Sequence, residues 1–381
     1  MVYILTLWAI FVVLALAIPK KYYKLYFFIM VCLLSWLAFY TEAQPAMDLY
    51  RYGNTMDLYR SVGWHWVAQN ELSTNPLAAV YLYLISLLGD NRFLPAITVF
   101  LVYSFSFGVL YKAAVRFESK KFEIQIAVLF FMLNFNYFYV IDVLRIYLCY
   151  AIMAYFLYMD LVEKKHRPLC AVVYVAVCFI HYAVLLFVFI RLLIVLVRHM
   201  KGAVANSMLI LFPGFIFVAY RVFAMVPWLT GIFELAGERA QAYMVGYNVF
   251  GVWQFANSFI RLLLFLLLGM LVIWLAKVAS RRAAEQKNLP EQRDCSRISD
   301  FTYFGLFVVM ATFGLVTNYQ MMLRTPNFLQ IIYLPILLFT LSKLRRYNKA
   351  YKRALTFLIV FESLGNFLYL LVYVYRSAKF F

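Results

Sequence analysis

Polar residues are scarce in this 381-residue chain, and those able to do chemistry stand singly in long apolar stretches. Arg145 opens an apolar run, 145–161, three residues after Asp142. If that run is a helix, the guanidinium sits at an N-terminus that already carries partial positive charge, so a cation there calls for an anion. Two readings follow. Arg145 pairs with Asp142 or snorkels to a membrane interface, or the guanidinium and the free backbone N–H groups form an anion site. Arg324 repeats the pattern just before Thr325-Pro326, where proline predicts a helix start, and the run 327–342 follows. Arginine keeps its charge and grips phosphate bidentately, so two such residues point to a polyanion such as a diphosphate.

Four further groups have useful chemistry. His181 lies deep in the apolar run 169–198, where neutral imidazole is a candidate general base or a satisfied structural residue. Asp48 precedes Arg51 and Tyr52 by one helical turn. Asp48 and Arg51 either pair with each other, or the carboxylate binds sugar hydroxyls or accepts a proton. Met47-Asp48-Leu49-Tyr50-Arg51 recurs as Met56-Asp57-Leu58-Tyr59-Arg60. Nine residues turn a straight helix by about 180°, so the two copies would face opposite ways unless Gly53-Asn54 breaks it. Arg239 and Tyr243 form a weaker pair further on.

The elements that hold these residues are read from hydropathy. Two thirds of the residues are hydrophobic and 14% are charged, far from the balance of a soluble domain. Apolar runs at 2–18, 25–41, 93–111, 123–141, 145–161, 169–198, 203–220, 258–278, 300–317, 327–342 and 354–374 are close to the roughly 17–25 residues that cross a bilayer. The run 169–198 is long enough for two short spans with a turn near His181. The expectation is an all-α polytopic protein with about 12 transmembrane helices, forming a single transmembrane domain over 1–381. The first run lacks a cleavage site and reads as a retained span.

The formal charge of +18 reads as topology rather than nucleic-acid binding. Lys20-Lys21, Lys120-Lys121, Lys164-Lys165, Arg281-Arg282 and Arg345-Arg346 lie between apolar runs. They all fall on one side if Leu77–Leu88, too short to cross, is re-entrant or interfacial. Then 24 of the 35 Lys and Arg are cytoplasmic, nine are external, and Arg191 and Arg261 lie within spans. Both termini are external, 42–76 and 221–257 are long outer loops, and 280–299 is a cytoplasmic loop. The five cysteines suggest no disulfide framework, and no spacing suits a metal.

Asp48-x-x-Arg51-Tyr52, Asp142-x-x-Arg145, His181-Tyr182-Ala183-Val184 and Arg324 before the last pair of spans, in this order and spacing, resemble the EpsG family of Wzy-type polysaccharide polymerases. The resemblance covers roughly residues 1–375. It implies a metal-independent, inverting glycosyltransferase without a cofactor, in the bacterial inner (plasma) membrane, with its active site facing the periplasm or cell exterior. Its substrates would be oligosaccharide repeat units on undecaprenyl diphosphate, and its partners a flippase and a chain-length regulator. Fixed cations act best where charge develops, which assigns Arg145, Arg324 and Arg51 to the leaving diphosphate. His181 and Asp48 are then the candidate bases, with Asp142, Tyr52, Arg239 and Tyr243 as substrate contacts.

Two alternatives share the donor. An O-antigen ligase-like enzyme differs only in its acceptor. A flippase or exporter of the lipid-linked unit needs a polar path through both leaflets, whereas the candidate ligands here crowd one face.

Overall fold

The computed structural model describes residues 2–45, 47–72, 75–200, 202–225, 252–285, 289–315 and 319–371. Among them all regular structure is helical. The helices are α1 (Val2–Ala17), α2 (Tyr23–Phe39), α3 (Asp48–Asn70), α4 (Pro76–Ser86), α5 (Phe93–Arg116), α6 (Lys121–Asn134), α7 (Tyr137–Asp142) and α8 (Leu144–Leu157). They continue as α9 (Arg167–Cys178), α10 (Leu185–Arg198), α11 (Gly202–Met225), α12 (Val252–Glu285), α13 (Leu289–Gly314), α14 (Tyr319–Tyr347) and α15 (Lys349–Tyr369). A π-helical turn, Tyr158–Glu163, extends α8.

Five stretches among the described residues are long and apolar enough to cross a membrane: Lys20–Phe39, Phe93–Arg116, Leu144–Glu163, Phe259–Arg281 and Arg324–Arg346. Large apolar side chains cover the periphery, with Ile210, Leu211, Phe357 and Phe361 each at least 68% exposed. A soluble surface does not carry such a belt, and hydrocarbon solvates it. The architecture is that of a helical membrane protein.

Ion pairs define one end of the bundle. Arg116 donates to Asp294 at 2.6 Å and approaches Glu163 at 3.4 Å, drawing together α5, α13 and the π turn after α8. Glu123 is fully buried at the start of α6, where Arg345 reaches it at 3.0 Å and Lys352 at 2.8 Å. Lys121 Nζ donates to the Ala17 carbonyl at 3.3 Å, so the block Lys120-Lys121 lies beside the end of α1 and near Lys20-Lys21. These basic blocks therefore share one end, with α3 and α4 at the other. At 11 residues α4 is only about 16 Å long.

α14 is the central helix. Its apolar stretch between Arg324 and Arg346 is buried along its whole length, against α5, α6, α8, α12, α13 and α15. Close approach to α12 depends on Gly269, where any Cβ would collide with the Tyr333 ring and hydroxyl. Gly314 does the same for α11 and α13, since a Cβ there would lie 2.6 Å from the Pro213 carbonyl. Small residues at such crossings let backbones meet.

Several boundaries depart from the sequence expectation. The run 123–141 is broken at Phe135-Asn136, because the Asn136 side chain caps α7 by accepting from the Phe138 and Tyr139 N–H groups. The repeat segment is not broken at Gly53-Asn54. It runs on and kinks at Gly63, whose φ of 77° suits glycine. Tyr50 is exposed and Tyr59 buried, while Leu49 is buried and Leu58 exposed, so the two copies do face opposite ways. The expected loop 280–299 is largely helix, since α12 reaches Glu285 and α13 begins at Leu289. Its Ala, Glu, Gln, Arg and Lys are good helix formers, and Pro290 suits a first turn. Pro326 does not open a helix either. α14 starts at Tyr319 and carries both Pro326 and Pro335 inside it, a tolerance that surrounding helices supply. The run 169–198 does divide, between Cys178 and Leu185.

Candidate functional site

The end opposite the basic blocks collects most of the residues singled out above. α3 lies across it, held by Leu49, Met56 and Tyr59, all buried. No side chain of its own caps α3; the cap comes from Asp142. Oδ1 of Asp142 accepts the backbone N–H of Asp48 at 2.7 Å and that of Leu49 at 3.4 Å. Free N–H groups at a helix start take a carboxylate readily. The other end of the repeat is tied to the loop before α5. Asp57 accepts from Asn91 at 2.9 Å and pairs with Arg60, which donates to Asn91 Oδ1 at 2.9 Å.

Arg145 is the second residue of α8 and is half-buried. It does not pair with Asp142 as the first reading had it. Its Nε donates to the Tyr52 hydroxyl at 2.9 Å, and its guanidinium lies 5.1 Å from the Tyr52 ring centroid. The hydrogen bond fixes one edge of the fork. The two terminal nitrogens have no hydrogen bond among the described residues.

Arg324 is half-buried in α14 and has no hydrogen bond or ion pair among the described residues. Its charge reaches both Asp142 and the Tyr150 hydroxyl, which is buried and has no hydrogen bond among the described residues. The Tyr150 ring packs at 5.3 Å on Phe328, one turn along α14 from Arg324. Burial pushes the Asp142 carboxyl above the ordinary carboxylate range. The Leu49 N–H and the charges of Arg324 and Arg51 oppose that shift. Arg324, Arg51 and Asp142 are thus one electrostatic group.

Asp48 and Arg51 form the ion pair of the plainer reading, with the Arg51 side chain 70% exposed. His181 stands apart from this group. It opens the turn between α9 and α10, and its Nδ1 accepts the Ala183 N–H at 3.2 Å. A neutral imidazole accepting at Nδ1 carries its proton on Nε2 and so presents a donor there. The turn is held against α8, whose Cys149 Sγ donates to the Val177 carbonyl at 3.5 Å. Arg239 and Tyr243 lie outside the described residues.

An apolar cavity of about 130 Å³ lies between α12, α13 and α14, lined by Phe259, Leu262, Leu266, Thr312, Phe313 and Met322. Arg261 lies within the apolar stretch of α12, as the sequence analysis placed it, twenty residues before Arg281.

The assembly can hold an anion between cations while an apolar surface takes a chain attached to it. No protein-family model, no curated protein and no solved structure matches this chain.

Proposed function

We propose that the chain polymerises oligosaccharide repeat units carried on undecaprenyl diphosphate, as a metal-independent inverting glycosyltransferase of the bacterial plasma membrane. In this reading twelve helical segments cross the bilayer, α3 and α4 lie on the outer face, and the basic end is cytoplasmic by the positive-inside rule. The observation that carries it is Arg324: a half-buried guanidinium without hydrogen bond or ion pair among the described residues, two residues along α14 from Met322, which lines an apolar cavity. A guanidinium drawn partly out of water is stabilised by an anionic ligand.

Arg145 and Arg324 grip the donor's diphosphate. Their charge is most useful as the glycosidic C1–O bond breaks and the diphosphate takes the electron pair. The acceptor hydroxyl oxygen forms the new bond to C1 from the opposite face and gives up its proton. Asp48 is the base when Arg51 swings from it to the diphosphate, a movement its exposed side chain permits. The cavity at Phe259, Leu262 and Met322 takes part of the polyprenyl chain.

Purified protein given a single repeat unit on undecaprenyl diphosphate should yield a ladder of longer glycans. Arg145→Ala and Arg324→Ala should each abolish the ladder while the protein still inserts, and lysine should not rescue either. Normal chains from both variants would sink the assignment. Transfer to a different carrier in place of chain growth would make the protein a ligase.

A further inference from the structure

Three arginines lie toward the end that carries Asp142: Arg145 in α8, Arg324 in α14, and Arg261 in α12, twenty residues before Arg281. Two of these belong to the site above, and the third has surroundings of its own. Arg261 donates to Asn366 Oδ1 on α15 and lies over the Tyr369 ring, 3.2 Å from its centroid. Its Nε is buried and has no hydrogen bond among the described residues. Both named partners are neutral. Glu362 is nearby, but its Oε2 accepts from Asn134 at 3.2 Å, and it makes no ion pair with Arg261 among the described residues. Asn366 is itself held by donating to Asn134 Oδ1 at 2.9 Å.

The flanks of this seam face lipid. Ile260 and Leu264 on α12 are 53% and 55% exposed, and Leu364 and Leu368 on α15 are 47% and 60% exposed. Any anion that reaches Arg261 along these faces arrives attached to a lipid, about 30 Å along α12 from Arg281 at the rise of a helix. A guanidinium with an unused N–H and neutral partners there suits phosphate. The short helix α7 connects this place with the first site. Tyr139 lies in the field of Arg261, and Asp142, three residues on, lies in the field of Arg324.

We infer that Arg261, Asn366 and Tyr369 form a second anion site, which takes the phosphate head of a lipid. Resting on the proposed function, that lipid is the second repeat-unit carrier, the acceptor, while Arg145 and Arg324 hold the donor. Chain growth joins two lipid-linked molecules, and two cationic positions on neighbouring helices let both be present together.

The test counts bound undecaprenyl diphosphate by native mass spectrometry, on protein in phosphatidylcholine nanodiscs. Wild type should bind two equivalents, Arg261→Gln one, Arg324→Gln one, and the double variant none. Arg261→Lys keeps the charge, folds where the glutamine variant does not, and should weaken the second equivalent at least tenfold. Two equivalents retained in Arg261→Gln, or one equivalent in wild type lost only in Arg324→Gln, overturns the second site and leaves the first. No binding to wild type overturns the proposed function itself. Equal displacement of the second equivalent by phosphatidylglycerol makes the seam a general lipid contact and also overturns the inference. Inorganic pyrophosphate alone should not occupy it.

Discussion

Asp142, at the end of α7, accepts the backbone N–H of Asp48 at 2.7 Å and so caps a helix that begins 94 residues earlier in the chain. The contact fixes where α3 starts, and α3 in turn carries Tyr52 to Arg145. One carboxylate therefore positions the aromatic ring that orients the guanidinium.

Removing that cap should loosen α3. Asp142→Ala is expected to cost about 1 kcal/mol, as lost N-caps do. Asp142→Asn should cost less, because the amide oxygen still accepts. The sign of the pH effect follows from burial, which raises this carboxyl in the folded state. Its contribution to stability is fully present below the unfolded carboxylate range and is lost as pH rises through the folded value. At neutral pH the asparagine variant should therefore match or exceed wild type, by thermal melting in detergent across pH 4–8, a range set around the ordinary carboxylate value of about 4. A lower melting point for asparagine at neutral pH would contradict the burial effect.

Tyr52 should matter through Arg145. Tyr52→Phe keeps the ring beneath the guanidinium and removes the acceptor of its Nε. A hydrogen bond of this kind at a part-buried site contributes about 1 kcal/mol, so polymer formation should fall roughly fivefold. Tyr52→Ala also loses the cation–π contact and should fall further. Initial rates on the lipid-linked unit decide it, and equal losses for both variants would leave the ring without a role.

Glu123 offers a test of the basic end. It is fully buried and receives Arg345, Lys352 and the Lys120 N–H. Glu123→Ala leaves two cations without their carboxylate and should cost about 3–5 kcal/mol, enough to lower the yield of folded protein. Replacing Glu123, Arg345 and Lys352 together by leucine should restore much of that yield, since buried ion pairs add little over apolar packing. Size-exclusion profiles of tagged protein give the comparison.

Gly269 faces the Tyr333 ring so closely that an added methyl group has no room. Gly269→Ala should destabilise by about 1–3 kcal/mol, the usual cost of overpacking. Tyr333→Leu in the same chain should recover part of it. If the two substitutions simply add, the helices do not meet as described.

Hydropathy made the helical class legible, because the apolar lengths and the basic blocks obey simple rules of solvation. Arg145 was legible as the start of an apolar run, and the turn at His181 was legible from the excessive length of 169–198. The partners were not. The Asp142 contact joins positions 94 residues apart, and no local rule pairs them. Short-range logic preferred Asp142 with Arg145 and gave the wrong neighbour. The helix start expected at Pro326 failed for a related reason: proline disrupts an isolated helix, whereas α14 is enclosed by six others.

Because α14 touches protein on every side, its solvent during assembly is the rest of the chain and not hydrocarbon. Most of its walls, α5, α6, α8, α12 and α13, precede it in the chain, so they are made before it. Its prolines, amides and charges are tolerated once there, yet they make it a poor passenger in lipid alone. A chain without α15 would therefore leave one side of this central helix uncovered.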